Sequence, residues 1–288
     1  MILNASGCLD ALTAPDVART LDAFVTKTVT PLPRAGNAPD RIAETEVGML
    51  NSIGLANPGR DVFLAQTLPR LRHLGVPIWV SVGGFAAEDY AETCAALEGV
   101  AAIELNLSCP NVDDAPETVA EIVGACRAAT ELPLYAKLSP ATWDLAQVAR
   151  AVADAGADGL SLVNTARGLA LDEATLRPRL GSGVGGLSGP ALKPIALAAV
   201  YACYRASPLP IVGMGGVRTG RDALELLAAG AVAVALGTVL FADPGAPSRV
   251  RGELRAELAL RGLDDLSEAV GMAHSGDPTL NRRLSLPV

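Results

Sequence analysis

Short apolar runs of strand length recur along the chain and alternate with longer segments of helical periodicity. Most runs are bounded by glycine, proline or small polar residues, and several are rich in valine, isoleucine or leucine. A short apolar run between such residues is typical of a buried β-strand. The pattern predicts eight strands: Ile2–Ala5, Ala23–Thr28, Pro77–Gly84, Ala101–Ser108, Pro133–Ser139, Gly159–Thr165, Pro210–Gly216 and Ala233–Val239.

Helices are predicted between and after these strands: Ala14–Leu21, Ala87–Leu97, Glu117–Thr130, Leu145–Ala155, Ala191–Ala206, Arg221–Ala229 and Pro247–Arg261. No linker or change in composition divides the alternation, so the predicted fold is α/β, a single (β/α)₈ TIM barrel over residues 1–275. An open doubly wound sheet is the structural alternative, but no Gly-x-Gly-x-x-Gly follows the first strand to favour it. Residues 276–288 lack periodicity and are predicted to be a surface or disordered tail.

The connection Pro31–Asn57 is long for a compact domain. Loops of that length are often functional. Its glycines and asparagines could equally serve as ordinary turn residues. The pattern alone leaves both interpretations open.

Composition narrows the class of protein. The 288-residue chain is 50% hydrophobic, but its aromatic share is only 3% and its formal charge is −8. Without a basic block, binding to nucleic acid is not expected. The two histidines and five widely spaced cysteines fit no metal-ligand pattern, so no metal site is predicted. The odd number of cysteines, the lack of a signal peptide and the lack of an apolar run of about eighteen residues favour a cytoplasmic location, not a membrane.

Cys109 lies just past the end of the fourth predicted strand, where Pro110 ends the ladder because it has no N–H. Asn106 and Asn111 flank it. A thiol between two carboxamides can act as an acid–base group beside donors and acceptors that orient a small polar ring. The alternative is a buried cysteine that packs as a small hydrophobic residue.

Glycines cluster after the seventh and eighth predicted strands, as Gly215-Gly216 and Gly237-Thr238, and a third glycine-rich segment ends at Gly189. In barrels, the loops after these two strands commonly bind a phosphate through backbone N–H groups. Each pair alone is weak evidence, since strand ends often carry glycine, but their joint placement predicts a phosphate-containing ligand.

The string Ile103-Glu-Leu-Asn-Leu-Ser-Cys-Pro-Asn-Val112 closely resembles the catalytic loop of the class 1 dihydroorotate dehydrogenases. The string from Gly48 to Gly59 resembles their substrate-contacting loop, and the resemblance runs from Leu3 to about His274. It implies oxidation of dihydroorotate to orotate in pyrimidine biosynthesis, with FMN bound non-covalently. Cys109 would be the base that removes the C5 proton as hydride passes from C6 to FMN. Class 2 enzymes use serine as the base, so a cysteine favours class 1.

The same resemblance implies the other site residues. Those implied for substrate binding are Lys27, Asn51, Asn106, Asn111, Asn164 and Thr165. Those implied for FMN binding are Ala5, Ser6, Gly7, Lys27, Thr28, Asn106, Lys137, Gly189, Gly215, Gly216, Gly237 and Thr238. Lys137 would lie at the flavin N1–C2 edge, where a cation stabilises the negative charge that develops on hydride transfer. The simpler alternative for Lys27 and Lys137 is a strand-end lysine that reaches solvent.

Three segments look like class 1B: Gly54-Leu-Ala-Asn-Pro-Gly59, Glu88-Asp-Tyr90 and the string from Leu187 to Pro194. That class passes its electrons to a partner subunit that carries FAD and an iron–sulfur cluster, whereas class 1A uses fumarate and needs no partner. The expected partners are therefore this electron-transfer subunit and a second copy of the chain in a homodimer core. Neither nucleic acid nor membrane is expected as a partner.

Two departures from the family pattern bear on the substrate. Only Met1–Leu3 precede Asn4-Ala-Ser-Gly7, where the family has a longer segment, and Val112–Glu117 lacks the usual glycine-rich insertion of the lid. A shorter lid affects substrate choice and water exclusion. Alternatives are therefore an FMN-dependent oxidoreductase of dihydropyrimidines or other dihydro-heterocycles, and a flavin-binding paralogue without turnover. A tRNA dihydrouridine synthase is disfavoured by the acidic charge.

Overall fold

The computed structural model describes residues 1–107, 116–142 and 144–274. Twelve strands lie within these ranges and divide between a parallel barrel and a small antiparallel sheet. They are β1 (Ile2–Asn4), β2 (Phe24–Val25), β3 (Ile42–Thr45), β4 (Gly48–Asn51), β5 (Ile78–Val82), β6 (Ala102–Asn106), β7 (Leu134–Leu138), β8 (Gly159–Leu162), β9 (Ala166–Gly168), β10 (Gly185–Ser188), β11 (Ile211–Met214) and β12 (Ala233–Leu236).

Helices follow most of the barrel strands. Within the described ranges the α-helices are α1 (Pro15–Ala18), α2 (Arg60–Val62), α3 (Leu68–Arg72), α4 (Ala87–Ala95), α5 (Pro116–Ala129), α6 (Leu145–Asp154), α7 (Lys193–Ala206), α8 (Gly220–Ala229), α9 (Val239–Ala242), α10 (Ala246–Ala259) and α11 (Leu266–Ala269). A π-helical turn, Phe63–Thr67, joins α2 to α3, and 3₁₀ turns occupy Pro190–Leu192 and Met272–His274. None of the helices in the described ranges is long and apolar enough to cross a bilayer.

The parallel strands form a barrel in which each strand lies beside the next barrel strand along the chain. The order is β1-β12-β11-β8-β7-β6-β5-β2, and a parallel bridge between Leu3 and Ala23 brings the two ends together. Asn4 reinforces this junction, since its side chain donates to Val25 O and accepts from Val25 N, both at 2.8 Å. The predicted (β/α)₈ barrel is therefore confirmed.

Side chains that alternate in direction along the barrel strands form two separate apolar layers. Residues such as Trp79, Tyr135 and Met214 form a cluster inside the barrel, whereas Val80 and Ile103 belong to a larger cluster between strands and helices. Successive strand side chains point to opposite faces, so a barrel strand supplies both layers.

The connection Pro31–Asn57 contains two strands that were not predicted. There β3 and β4 form an antiparallel hairpin, and β4 pairs with β10, which in turn pairs with β9. The strand β10 reads Gly-Gly-Leu-Ser, which has little intrinsic strand propensity, so its extended form depends on neighbours far away in the chain. Because β9 begins four residues after β8 ends, this small sheet lies at the carboxyl end of the barrel.

Candidate active site

Amide and hydroxyl side chains form a continuous row across the carboxyl ends of alternate barrel strands, β2, β6 and β8. Asn106, the last residue of β6, donates from Nδ2 to Thr28 Oγ1 at 3.2 Å. Its Oδ1 accepts from Nδ2 of Asn164 at 3.1 Å. The Asn106 carboxamide thus uses both its donor and its acceptor to fix residues on either side. We call Thr28, Asn106 and Asn164 the amide row; it lies at the barrel end where enzymes of this fold carry their chemistry.

The loop after β1 is tied to the amide row. Thr28 Oγ1 lies 3.0 Å from Ser81 Oγ and 3.4 Å from Ser6 Oγ. Ser6 also donates to the carbonyl of Thr26 at 2.8 Å. The backbone from Ala5 to Gly7 therefore crosses the site next to Thr28.

Lys27 passes over Gly7, whose φ is +78°. A Cβ at Gly7 would lie 3.0 Å from Lys27 Cδ and 3.5 Å from Lys27 Nζ. Any other residue would strain the backbone and displace the lysine, so glycine is required there. The Cys8 thiol lies beside Gly237 after β12, since a Cβ at Gly237 would be 3.7 Å from its Sγ. Burial raises the pKa of the Cys8 thiol, and the charges of Lys137 and Lys27 act in the opposite direction.

Lys137 on β7 is directed into the barrel. Its Nζ lies 3.3 Å from Oε1 of Glu104 on β6, and the two side chains are 7% and 1% exposed. The alternative in which Lys137 reaches solvent is therefore wrong. Glu104 and Asn106 lie on the same face of β6, because they are two residues apart in a strand. Glu104 therefore lies one inward-facing position below Asn106, whereas Lys137 is the register partner of Asn106 on β7.

The small sheet adds Asn51 and Thr165 to the site. Asn51 Nδ2 donates to the carbonyl of Gly186 at 3.3 Å, and a Cβ at Gly186 would overlap Thr165 Oγ1. The backbone N–H of Thr165 donates to Asn164 Oδ1 at 2.8 Å. Asn51 is thereby connected to the amide row through Gly186 and Thr165.

Backbone atoms of two glycine-containing loops touch near the carboxyl end of β11. Gly189, Gly215 and Gly216 have φ of +97°, +121° and +75°. A Cβ at Gly216 would lie 2.9 Å from Gly189 O and 3.0 Å from Lys193 N. These loops present backbone in place of side chains, as a phosphate cradle requires. Gly237 and Thr238 follow β12, the neighbour of β11 in the barrel.

Asp222 fixes the turn that contains Gly215 and Gly216. Its Oδ2 accepts the N–H groups of Arg218 and Thr219, each at 2.9 Å, and its Oδ1 lies 2.6 Å from Lys193 Nζ. Burial by itself raises the pKa of Asp222, but the bonds from Lys193 and the two N–H groups outweigh it and lower the pKa below its usual value. The charged carboxylate holds the turn against the start of α7.

The site residues belong to a chain-wide sequence pattern. A family model described as dihydroorotate dehydrogenase matches residues 1–258. The chain belongs to the dihydroorotate dehydrogenase family. The family predicted from the catalytic-loop resemblance is thus confirmed.

Relatives in the dihydroorotate dehydrogenase family align over most of their length. The dihydroorotate dehydrogenase B (NAD(+)) catalytic subunit of Desulforudis audaxviator is 47% identical over 264 residues, covering 88% of this chain and 86% of that protein. The protein of the same name from Geobacillus kaustophilus is 42% identical over 285 residues, with coverage of 94% and 90%. A Solibacter usitatus protein named provisionally dihydroorotate dehydrogenase A (fumarate) is 45% identical over 261 residues, with coverage of 87% and 86%.

The structure brings most of the residues predicted for a dihydroorotate dehydrogenase site to the same barrel end. The members placed there by direct contacts or by adjacent strand ends are Ala5, Ser6, Gly7, Lys27, Thr28, Asn51, Asn106, Lys137, Asn164, Thr165, Gly189, Gly215, Gly216, Gly237 and Thr238. Cys109 and Asn111 lie outside the described residues, as does the predicted tail 276–288. Their roles stay predictions from the sequence.

Several site residues were missed in the sequence. Glu104, Ser81 and Cys8 contact or surround the predicted lysines and Thr28, and the hydroxyl of Tyr90 donates to Asn106 O at 2.8 Å. Of these four residues, only Glu104 could have been recognised from its sequence neighbours, because a carboxylate inside an apolar strand is unusual. Ser81 on β5, Tyr90 on α4 and Cys8 in the bend after β1 look like ordinary residues of their elements until the fold brings them to the site.

Proposed function

We propose that this chain oxidises dihydroorotate to orotate with FMN as the hydride acceptor. The observation that carries the proposal is the amide row, beside the buried Lys137 and next to a backbone cradle of glycines. This arrangement offers donors and acceptors for a small polar ring and a cation for an electron acceptor.

The described residues fit a flavin mononucleotide. Gly189, Gly215 and Gly216 would hold its phosphate, since side chains are excluded where their loops meet. Gly237 and Thr238 would border the phosphate, and the remaining predicted residues would contact the ring and ribityl chain: Ala5, Ser6, Gly7, Lys27, Thr28, Asn106 and Lys137. FMN, when bound, would accept the hydride from C6 of the substrate.

The substrate would be held by carboxamides from several elements. Asn51, Asn106, Asn111 and Asn164 would bind its carboxylate and carbonyl groups, with Lys27 and Thr165 nearby. The hydrogen bonds of Asn106 and Asn164 fix the orientation of these amides before substrate arrives. Such preorganisation reduces the ordering that binding requires.

Cys109 would supply the base. As a thiolate it would take the proton from C5, while the electron pair of that C–H bond forms the C5–C6 double bond of orotate and hydride leaves C6. Cys109 follows β6 by three residues in the sequence and lies outside the described residues, so its role rests on the sequence alone.

Cofactor release and substrate reduction test the proposal directly. The purified protein should be yellow and should release FMN, not FAD, when denatured. Dihydroorotate should bleach the bound flavin under anaerobic conditions, whereas dihydrouracil should do so far more slowly, since it lacks the carboxylate. Release of FAD, colourless protein that takes up no FMN, or faster bleaching by dihydrouracil would contradict the proposal.

We further propose that the electrons leave through a partner subunit carrying FAD and an iron–sulfur cluster. Support comes from relatives named as B-type catalytic subunits, whose names include NAD(+). The isolated chain should reduce artificial dyes but use NAD⁺ poorly until that subunit is added. Efficient fumarate reduction by the chain alone would favour the A type instead. The name of the Solibacter relative includes that type.

A homodimer core is also proposed, with the small sheet as its contact surface. Val47, Leu169 and Leu176 lie in or beside this sheet and are 54%, 54% and 71% exposed. Exposed apolar clusters of this kind commonly mark protein interfaces. Light scattering should give a dimer for the wild type and a monomer for Val47→Glu/Leu169→Glu. The control Leu260→Glu, 81% exposed and distant in the chain, should stay dimeric. A monomeric wild type would refute the dimer.

A further inference from the structure

Glu104 is a carboxylate in the middle of an otherwise apolar stretch of barrel strand. Its neighbours Ala102, Ile103 and Leu105 are fully buried, and Glu104 itself is 1% exposed. A buried charge is strongly unfavourable unless it is paired. Lys137 lies within ion-pair distance of Glu104, with Nζ 3.3 Å from Oε1.

The pair lies beside the amide row, on two adjacent strands of the barrel. Lys137 is in register with Asn106 across the β6–β7 ladder, and Glu104 precedes Asn106 by two residues on the same face. The Cys8 thiol interacts electrostatically with Lys137, Lys27 and Glu104, which places these groups in one buried region. Charges in such a low-dielectric interior act strongly on each other.

We propose that Glu104 is a positioning residue that holds the Lys137 ammonium beneath the flavin and sets the reduction potential of the bound flavin. This inference rests on the proposed binding of FMN. A lone ammonium would stabilise the negative charge that a flavin gains on reduction, and the carboxylate of Glu104 reduces that effect. Glu104 thus keeps Lys137 in place and limits how strongly the flavin holds electrons, so that they can pass onward.

The isosteric variant Glu104→Gln separates charge from geometry. Its amide oxygen can still accept from Lys137 Nζ, while the negative charge is removed. The midpoint potential of bound FMN should rise, and the dissociation constant for sulfite should fall about tenfold, as expected when one unit charge is exposed in a low-dielectric site. Sulfite is a suitable probe because its lone pair bonds to flavin N5 and leaves a negative charge on the N1–C2 region.

Lys137→Met and the double variant complete the test. Lys137→Met should lower the potential and weaken sulfite binding, because it leaves Glu104 uncompensated. Glu104→Gln/Lys137→Met removes both charges, so its potential should lie nearer the wild type than that of Lys137→Met. This second comparison tests the charge of Glu104 even if Glu104→Gln alone does not fold.

Asp158→Asn is the matched control. Asp158 is ion-paired with Arg127 at 3.0 Å and accepts the N–H of Leu134, at the amino ends of β7 and β8. The Asp158→Asn substitution should destabilise the protein without changing the midpoint potential of the bound flavin. An unchanged potential in Glu104→Gln, or a shift in the direction of Lys137→Met, would overturn the inference while leaving FMN binding intact. A wild type that takes up no FMN would instead overturn the proposed function and this inference with it.

Discussion

Asn106 is bonded both to a helix and to residues at the ends of two other barrel strands. Its backbone carbonyl accepts from the Tyr90 hydroxyl, and its carboxamide bonds to Thr28 and Asn164. A neutral amide can do this because it both donates and accepts, whereas a carboxylate would lose the bond to Thr28 unless that hydroxyl turned to donate. The sequence predicted Asn106 as a site residue, but its partners come from strands far away in the chain.

At the same scale, Cys109→Ser tests the predicted base. An unperturbed thiol has a pKa near 8.5, and a serine hydroxyl is a far weaker acid. We expect flavin reduction by dihydroorotate at pH 7 to slow by roughly 10²–10⁴-fold, the range for a positioned general base. In the wild type the rate should rise with pH as the thiolate forms. Stopped-flow reduction isolates this step from the electron acceptor.

The FMN content of Cys109→Ser serves as its internal control. It should stay near the wild-type value, since the proposed phosphate contacts come from the loops after β10 and β11. Equal reduction rates in variant and wild type at pH 7 would show that Cys109 is not the base.

Among the structural elements, the turn after β11 offers a test of the phosphate cradle. Gly216→Ala introduces a Cβ that would lie 2.9 Å from Gly189 O, at a φ of +75°. Gly75→Ala is the matched control, because Gly75 has the same φ of +75° but nothing within 4 Å of its Cβ position. Both should lose about 1–2 kcal/mol of stability from the left-handed backbone. Only Gly216→Ala should lose bound FMN, measured by absorbance after gel filtration; equal FMN content in both would contradict the cradle.

The small sheet carries Asn51, so its packing should affect substrate binding. Leu50 is 2% exposed and forms a cluster with Ala43 and Leu180. Leu50→Ala should loosen the sheet, since truncating a buried leucine costs about 2–5 kcal/mol. We expect a KM for dihydroorotate raised by about tenfold or more, equivalent to about 1.4 kcal/mol, with FMN content unchanged.

Leu32→Ala is the control for the sheet variant, because Leu32 belongs to the same connection and is 75% exposed. It should leave KM and hydrogen exchange of the sheet unchanged. A wild-type KM in Leu50→Ala, together with faster exchange in β4 and β10, would show that the sheet does not position substrate.

For the whole molecule, barrel closure depends on a short contact between β1 and β2. Asn4 is fully buried and satisfies both the N–H and the carbonyl of Val25. Asn4→Ala leaves two buried backbone groups without partners, so the free energy of unfolding should fall by about 2–4 kcal/mol. Urea unfolding followed by circular dichroism measures this loss. Thr13→Ala, which removes an exposed hydroxyl bond to Asp10 O, should cost far less; equal losses would contradict the role of Asn4.

Much of the architecture follows from local patterns in the sequence. Each predicted strand has an observed counterpart, because a short apolar run between turn residues has few other ways to be buried. The observed strands are shorter: the predicted Ala23–Thr28 is reduced to Phe24–Val25. Beyond that point the side chain of Thr26 accepts the N–H of Ser81, in place of a backbone carbonyl.

The barrel, the family and the residue types at the strand ends could be predicted from the sequence by itself, because short apolar runs and local motifs indicate each of them. Only the tertiary structure decided which of those residues meet. The strand β10 is extended because β4 and β9 pair with it, and no local propensity of Gly-Gly-Leu-Ser indicates this. Glu104 and Lys137 are 33 residues apart in the chain, yet they form a buried pair because β6 and β7 are adjacent in the barrel. The energy of such a pair depends on burial and distance, and both arise only when the barrel closes.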